Sequence, residues 1–299
     1  MSTSERIKYK IKTATVTEKI IAVNVAVFVL FYLVQTIAYL FNAPANSILE
    51  WLVFSKEPVD FLWKPWSIIT YGFMHGGFMH ILFNMLILYF AGVYFLNYFS
   101  PKRLLNYYFL GIIIGGLVYM LSYNLFPVFQ ETGKSYLMGA SAGVMAVLIG
   151  IATHVPNMRV RLLLIGSVKF WWIAAVLVVI DLIQIPFGNA GGHFAHLGGA
   201  ALGYIYTTQL QKGNDIGKWF ENILDGISGM FKSKPKQAKM KTVYRNENRT
   251  AQKAGPARKM DKTEKQQRID FILDKISKSG YDSLTKAEKD FLFQAGKEN

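Results

Sequence analysis

Cysteine is absent from the 299-residue chain, which excludes disulfide frameworks and thiolate metal sites and leaves the redox compartment open. Acidic residues are few, 19 against 33 Lys and Arg, for a net charge of +14. Charge of either sign is sparse between residues 20 and 211, and most of the Lys and Arg lie on either side of that region. A soluble domain scatters its charges among its apolar residues, so this segregation predicts a membrane region followed by a basic soluble tail. The polar, basic stretch 1–19 leads to no small-residue cleavage site. A cleaved signal peptide is therefore not expected, and the first apolar run reads as a retained helix.

A hydrocarbon core of about 30 Å takes roughly 20 apolar residues per helix. Six runs satisfy or approach this: 20–41, 79–99, 104–126, 138–152, 170–185 and 193–210. The last three are short or interrupted by polar residues. Arg6, Lys8, Lys10, Lys12 and Lys19 precede the first run, Lys102 and Arg103 separate the second from the third, and Arg159 and Arg161 follow the fourth. The alternate loops are poor in positive charge, so both termini are expected in the cytoplasm.

Ionisable groups inside a span are costly and mark function by default. All five histidines fall in the membrane region. His80 and Asn84 share one helix face in the second span. The fourth span opens Gly139-Ala140-Ser141-Ala142-Gly143, and the sixth opens His193-Phe194-Ala195-His196 and continues to Gly199 and Gly203. By the expected topology His75, Ser141 and His193 begin helices entering from the same side. The spacings Gly139/Gly143 and Gly199/Gly203 suit close helix packing, and pairing the fourth and sixth spans brings Ser141 towards His196. A hydroxyl needs a neighbouring base to become a nucleophile, and histidine is suited to take that proton and return it to a leaving amine. Asn84, His80 and the Ser141 N–H are the donors available to a tetrahedral oxyanion.

These three motifs, Gly139-Ala140-Ser141, His80-x-x-x-Asn84 and Ala195-His196-x-x-Gly199-x-x-x-Gly203, resemble those of the rhomboid family of intramembrane serine proteases, in order and each on the matching span. The resemblance covers residues 20–210. It implies an all-α membrane protein with a six-transmembrane-helix bundle and a serine endopeptidase that cuts membrane proteins at or near their transmembrane segment. It further implies a Ser141–His196 dyad, an oxyanion hole lined by His80 and Asn84, no cofactor, and transmembrane proteins as substrates. The loop 42–65, with Trp51 and Trp63, resembles the family's interfacial loop, and 181–192 its usual gate. Two positions depart from the family: Ala142 stands where glycine often follows the serine, and Met145 where an aromatic often stacks on the histidine.

His193 supports the cleft or simply begins its helix, and His154 reads as structural. The histidine pairs could imitate a metal site, but no carboxylate accompanies them in their segments and no metal is expected. Asp181, deep in the fifth span, is expected to make an interhelical hydrogen bond without a part in the reaction. A rhomboid-like pseudoprotease that binds transmembrane helices without cleavage is the alternative. A transporter is disfavoured, because no paired carboxylates or inverted repeat accompany the histidines.

After residue 211 the chain is basic and partly helical. Trp219, Phe220, Ile223, Leu224 and Ile227 make an amphipathic pattern expected to lie on the inner membrane surface. Residues 232–259 read as a disordered linker whose charge suits anionic lipid headgroups; no nucleic-acid partner is expected. Ile269, Ile272, Leu273 and Ile276 form a helix face that Gly280 ends, and Thr285 with Glu288 forms a capping box before Phe291. This last module resembles one found on rhomboids of some bacterial groups, which implies a bacterial plasma membrane. The expected divisions are 1–19, 20–211, 212–260 and 261–299.

Overall fold

The computed structural model describes residues 2–44, 46–162, 166–231 and 262–297. They fall into two compact units, one within Met1–Lys234 and one within Pro235–Asn299. The expected linker over 232–259 lies outside the described residues.

The first unit starts with α1 (Thr3–Thr13) and α2 (Val16–Leu40), each opened by a capping box, Ser2 with Glu5 and Thr15 with Glu18. Each hydroxyl accepts the N–H of the glutamate three residues on, and the glutamate accepts the cap's own N–H. The second box starts the first apolar helix ahead of residue 20, where hydropathy alone placed it. The following loop folds into α3 (Asn46–Leu52), β1 (Phe54–Ser55), α4 (Pro58–Trp63) and α5 (Ser67–Thr70). Then come α6 (Phe78–Phe95), α7 (Pro101–Leu125), β2 (Tyr136–Leu137) and α8 (Ser141–His154). Strands β3 (Arg159–Leu162) and β4 (Gly166–Lys169), then α9 (Phe170–Gln184), α10 (Ala190–Gln211) and α11 (Lys218–Phe231), complete the unit.

The unit is mainly helical, but two antiparallel ribbons depart from an all-α fold. Phe54 pairs with Leu137 in one, and Arg159 pairs with Lys169 in the other. The second ribbon alternates as a half-buried strand does, Val160 inward and Arg159 and Arg161 outward.

Four helical segments, Val16–Leu40, Phe78–Phe95, Pro101–Leu125 and Phe170–Phe187, are long and apolar enough to cross a membrane. Leu30, Leu33, Leu86, Tyr89, Val179 and Ile183 stand exposed on three of them. Such faces would be a liability in water and are ordinary against lipid. Helix α8 is apolar but has 14 residues, about 21 Å of helix at 1.5 Å per residue. That is too short for a hydrocarbon core of about 30 Å, and α8 sits inside the bundle instead, packed by α10, α7, α6 and α9. Ala142, Val144, Ala146, Leu148 and Ile151 are almost wholly buried.

Helices α8 and α10 run side by side in parallel. A methyl added at Gly199 would collide with the Ala142 carbonyl oxygen, and one at Gly203 with that of Ala146. One turn further, Thr207 Oγ1 donates to the Gly150 carbonyl at 3.1 Å. The expected partner face of α8 was Gly139 and Gly143. Gly139 precedes the helix, and Gly143 faces the Tyr108 carbonyl of α7, where an added methyl would lie 2.6 Å away. A helix turns about 100° per residue, so Ala142 rather than Gly143 meets α10.

In the second unit, α12 (Lys262–Ser279) stops at Gly280, whose φ is +79°, and α13 (Lys286–Lys297) begins after Thr285. Ile272 and Leu284 are buried there. Glu288 accepts from the Thr285 N–H at 2.7 Å and from Lys275 Nζ at 2.9 Å.

Two measurements follow from this packing. Gly199→Ala is expected to cost about 1–3 kcal/mol through overpacking, read as a lower unfolding temperature in detergent. Gly226→Ala, on an open stretch of α11, is expected to be neutral or stabilising by about 0.5–1 kcal/mol. The Thr285 backbone bond first, then Lys275, holds Glu288 down to about 2. A depressed carboxyl stabilises above its unfolded value and loses that contribution as pH falls through the folded one. Amide exchange in α13 is therefore expected to be faster in Glu288→Gln than in the wild type at neutral pH, with the difference vanishing as pH falls towards about 2.

Candidate active site

Ser141 is the first residue of α8 and follows a non-helical approach. The approach is fixed on both sides. The β1–β2 ribbon ties 136–137 to the first loop, and the Gly139 N–H donates to the Tyr71 carbonyl at 2.9 Å. Tyr71 is buried, and its hydroxyl donates to the Ile112 carbonyl of α7 at 2.6 Å. Gly139 has φ +126°, a conformation that a side chain rarely adopts. An α-helix leaves its first N–H groups without intrahelical partners and carries a partial positive charge there. The serine hydroxyl thus stands beside ready-made donors for an anion.

The α8–α10 register sets His196 one turn before Gly199, on the side of Ser141. Its Nδ1 lies 2.8 Å from Asp181 Oδ1, and the same oxygen lies 2.8 Å from His193 Nδ1. Asp181 and His193 are buried, and His196 is part-exposed. A carboxylate only accepts, so each imidazole presents its N–H at Nδ1. In a neutral ring so bonded, the Nε2 of His196 carries the lone pair.

On α6, Asn84 Nδ2 donates to the His80 carbonyl at 3.0 Å. The His80 Nδ1 accepts from the Gly76 N–H at 3.4 Å, which places the ring proton on Nε2. A methyl at Gly139 would lie 2.7 Å from that Nε2 and 3.6 Å from Ser141 Oγ, so His80 and Ser141 flank the same glycine. His75 stacks edge-on against His80 with ring centroids 5.1 Å apart, and its Nε2 is buried without a partner.

Apart from His75, these side chains border one cavity of about 400 Å³. Ser141, His196, His80, Asn84, His193 and Met145 all line it, as do Asp181 and Gln184 of α9. Among the described residues no hydrogen bond joins Ser141 to His196. Catalytic hydrogen bonds commonly tighten only with substrate in place. Asp181, His193 and His196 also lie close enough to share a metal ion. Both nitrogens approach a single oxygen at ordinary hydrogen-bond length, which describes two N–H donors on one acceptor.

The Rhomboid domain profile matches residues 62–212, half of the chain. The chain belongs to the rhomboid family. It is 30% identical over 158 residues to RHOMBOID-like protein 12, mitochondrial, of Arabidopsis thaliana, covering 49% of this chain and 47% of that one. It is 25% identical over 204 residues to Rhomboid-like protease 3 of Toxoplasma gondii, covering 68% and 73%. It is also 25% identical over 215 residues to Inactive rhomboid-related protein 2 of Caenorhabditis elegans, covering 67% and 57%. The chain thus spans about half the length of the Arabidopsis relative. Residues 259–297 match a family of unknown function, DUF6576.

Within this rhomboid, Asp181 makes the interhelical hydrogen bond expected of it, and its partners are His193 and the candidate base His196. The signal was present as Leu177, Ile180, Asp181 and Gln184, a helical stripe that lines the cavity; the rotation of α9 was not legible from it. His154 lies apart, against Phe99 with ring centroids 4.7 Å apart.

The positive φ and the His80 contact make Gly139 the most sensitive backbone position of the approach. Gly139→Ala is expected to lower stability by about 1–3 kcal/mol through backbone strain, read by thermal unfolding, and to reduce fluorophosphonate labelling of Ser141.

Proposed function

We propose that this rhomboid is an active intramembrane serine endopeptidase, with Ser141 as nucleophile and His196 as base. The observation that carries the reading is that Ser141, His196, His80 and Asn84 border one cavity at the start of α8. His196 Nε2 takes the Ser141 proton as Oγ attacks the scissile carbonyl carbon. The oxyanion is met by the Asn84 NH₂, the His80 Nε2–H and the first N–H groups of α8. The protonated His196 then gives its proton to the leaving amine, leaving an acyl-serine. Water attacks that ester and gives a proton to His196, which passes it to the serine oxygen as the ester C–O bond breaks and the new carboxyl end leaves.

The substrates of this reading are membrane proteins cut at or near a transmembrane segment. The six-span layout gives α8 and α10 the places of the fourth and sixth spans, with both termini on the cytoplasmic side by the Lys and Arg bias. The setting of a bacterial plasma membrane rests on the resemblance of the last module alone. The first loop supports an interfacial role. Trp51 stacks on Trp66 with centroids 5.8 Å apart, and Trp63 and Leu62 are largely exposed, as an aromatic belt requires of its tryptophans. The division of the chain at 19, 211 and 260, with the basic stretch near anionic headgroups, belongs to the same reading.

A pseudoprotease is the second reading, favoured by the relative named as inactive and by the Ser141 hydroxyl, which has no hydrogen bond to His196 among the described residues. One experiment separates them. In proteoliposomes with a single-span reporter, wild type is expected to cleave, Ser141→Ala and His196→Ala to lose cleavage, and Asn84→Ala to lose about 10²–10³-fold. Cleavage that survives in Ser141→Ala sinks the nucleophile. No cleavage and no serine labelling of the wild type supports the pseudoprotease.

A further inference from the structure

The reaction above uses one nitrogen of His196 and leaves unexplained why a carboxylate is buried beside the other. Asp181 sits in an apolar helix with 6% of its surface exposed. A carboxylate at such a place is costly unless fully hydrogen-bonded. Its Oδ1 receives two imidazoles, His193 and His196, each at 2.8 Å and each through Nδ1. One interhelical bond would have sufficed to tie α9 to α10. The second histidine is three residues from the first on α10, so both rings reach the carboxylate from adjacent turns.

We propose that Asp181 is the positioning residue of the reaction, holding His196 as the Nδ1–H tautomer with its Nε2 lone pair towards Ser141. His193 is the second donor that fixes the carboxylate itself. This rests on the Ser141–His196 reading. A neutral imidazole is free to carry its proton on either nitrogen, and only the Nδ1–H form can accept from a hydroxyl at Nε2. Without an acceptor at Nδ1 the base spends part of its time in the useless tautomer or rotated away. When Nε2 gains the serine proton, the ring becomes a cation beside an anion that it already contacts. Asp181 gains no proton at any step. The remaining titratable group lining the cavity is His80 on α6, and Gln184, one turn further along α9, is uncharged. No lysine or arginine lines this cavity among the described residues, so the carboxylate has no cation to draw it from the histidines. The arrangement adds to the dyad a carboxylate that fixes its geometry, and gives His193 a purpose.

The full chain in proteoliposomes provides the test, with a single-span reporter and with Ser141→Ala and His196→Ala run alongside. Asp181→Asn is expected to lower kcat by about 10²–10⁴-fold while KM stays within about threefold, because the loss falls on the transition state. Fluorophosphonate labelling of Ser141 should slow in parallel. His193→Ala should lose less, on the order of tenfold, since His196 keeps its acceptor. Formate should restore part of the kcat of Asp181→Ala and none of that of His196→Ala. A measurement on the wild type alone guards against a variant that fails to fold: nitrogen NMR of histidine-labelled protein should show His196 protonated at Nδ1 and bare at Nε2. Wild-type kcat in a folded Asp181→Asn, or a His196 protonated at Nε2, overturns the proposal. So does a loss that falls on KM and ignores formate. If Ser141→Ala still cleaves, the parent reading has failed, which is a different result from an Asp181 that proves dispensable.

Discussion

The approach of α10 to α8 is the constraint on which the rest depends. Gly199 and Gly203 lie against the carbonyls of Ala142 and Ala146, and any side chain there would hold the helices apart. In lipid no hydrophobic force draws two apolar helices together, so close van der Waals contact over small residues must do it. The spacing of four on both helices sets a parallel register. Once 199 faces 142 and 203 faces 146, the start of α8 and the histidines at the start of α10 have nowhere to go but the same end. A long side chain at either glycine would disperse the site without touching a polar group in it.

That register also explains why α8 is short. A helix of full membrane length would carry Ser141 to the surface and its first N–H groups into bulk water. Starting α8 late requires irregular backbone before it, which lipid does not tolerate unless protein covers it. The β1–β2 ribbon, the Gly139–Tyr71 bond and the buried tyrosine hydroxyl on Ile112 supply that cover. The first loop is thus part of the scaffold under Ser141 and also an exposed apron of tryptophan and leucine.

Some of this was legible in the sequence. Ser141, His196, His80 and Asn84 stood out because a polar group in an apolar run has few innocent explanations. The capping box at Thr285 and the stop at Gly280 are local chemistry and need no tertiary knowledge. Asp181 was legible as an oddity but not as a partner, since pairing it with His196 needs the rotation of α9 about its own axis. Helix α1 carried its signature in Ser2 and Glu5, yet Ile7, Tyr9 and Ile11 alternate with lysines, a period of two that does not suggest a helix. The β3–β4 ribbon was hidden because Arg159 and Arg161 read as flank charges, whereas the alternation with Val160 is what makes them a strand. The wrong glycine pair on α8 has the same origin: spacing along a helix names a face but not the neighbour it meets.

The opposite end of the bundle bears on the site as well. There Arg103 pairs with Asp215 at 2.5 Å, Tyr206 donates to that same carboxylate at 2.9 Å, and Asn106 donates to Tyr206 at 3.2 Å. Tyr107 meets Thr207 at 2.8 Å, and Thr207 in turn reaches the Gly150 carbonyl. These bonds join α7, α8, α10 and the turn before α11, while at the other end Asp181 joins α9 to α10. Between them lies an apolar stretch in which only small residues and contact distance hold the helices. Hydrogen bonds between membrane helices average about 0.6 kcal/mol each, so neither network alone fixes the bundle. Placed at both ends of the α8–α10 contact, they act against the motion the glycines leave open, a sliding or splaying of α10 along α8. The difference between the ends is chemical. The Arg103–Asp215 network pairs a guanidinium with a carboxylate and contains no histidine, whereas the Asp181 network pairs its carboxylate with two imidazoles, groups that can also gain and lose a proton. On the proposed reading, one end is built to stay as it is, and the other to hold a base in place while its charge changes.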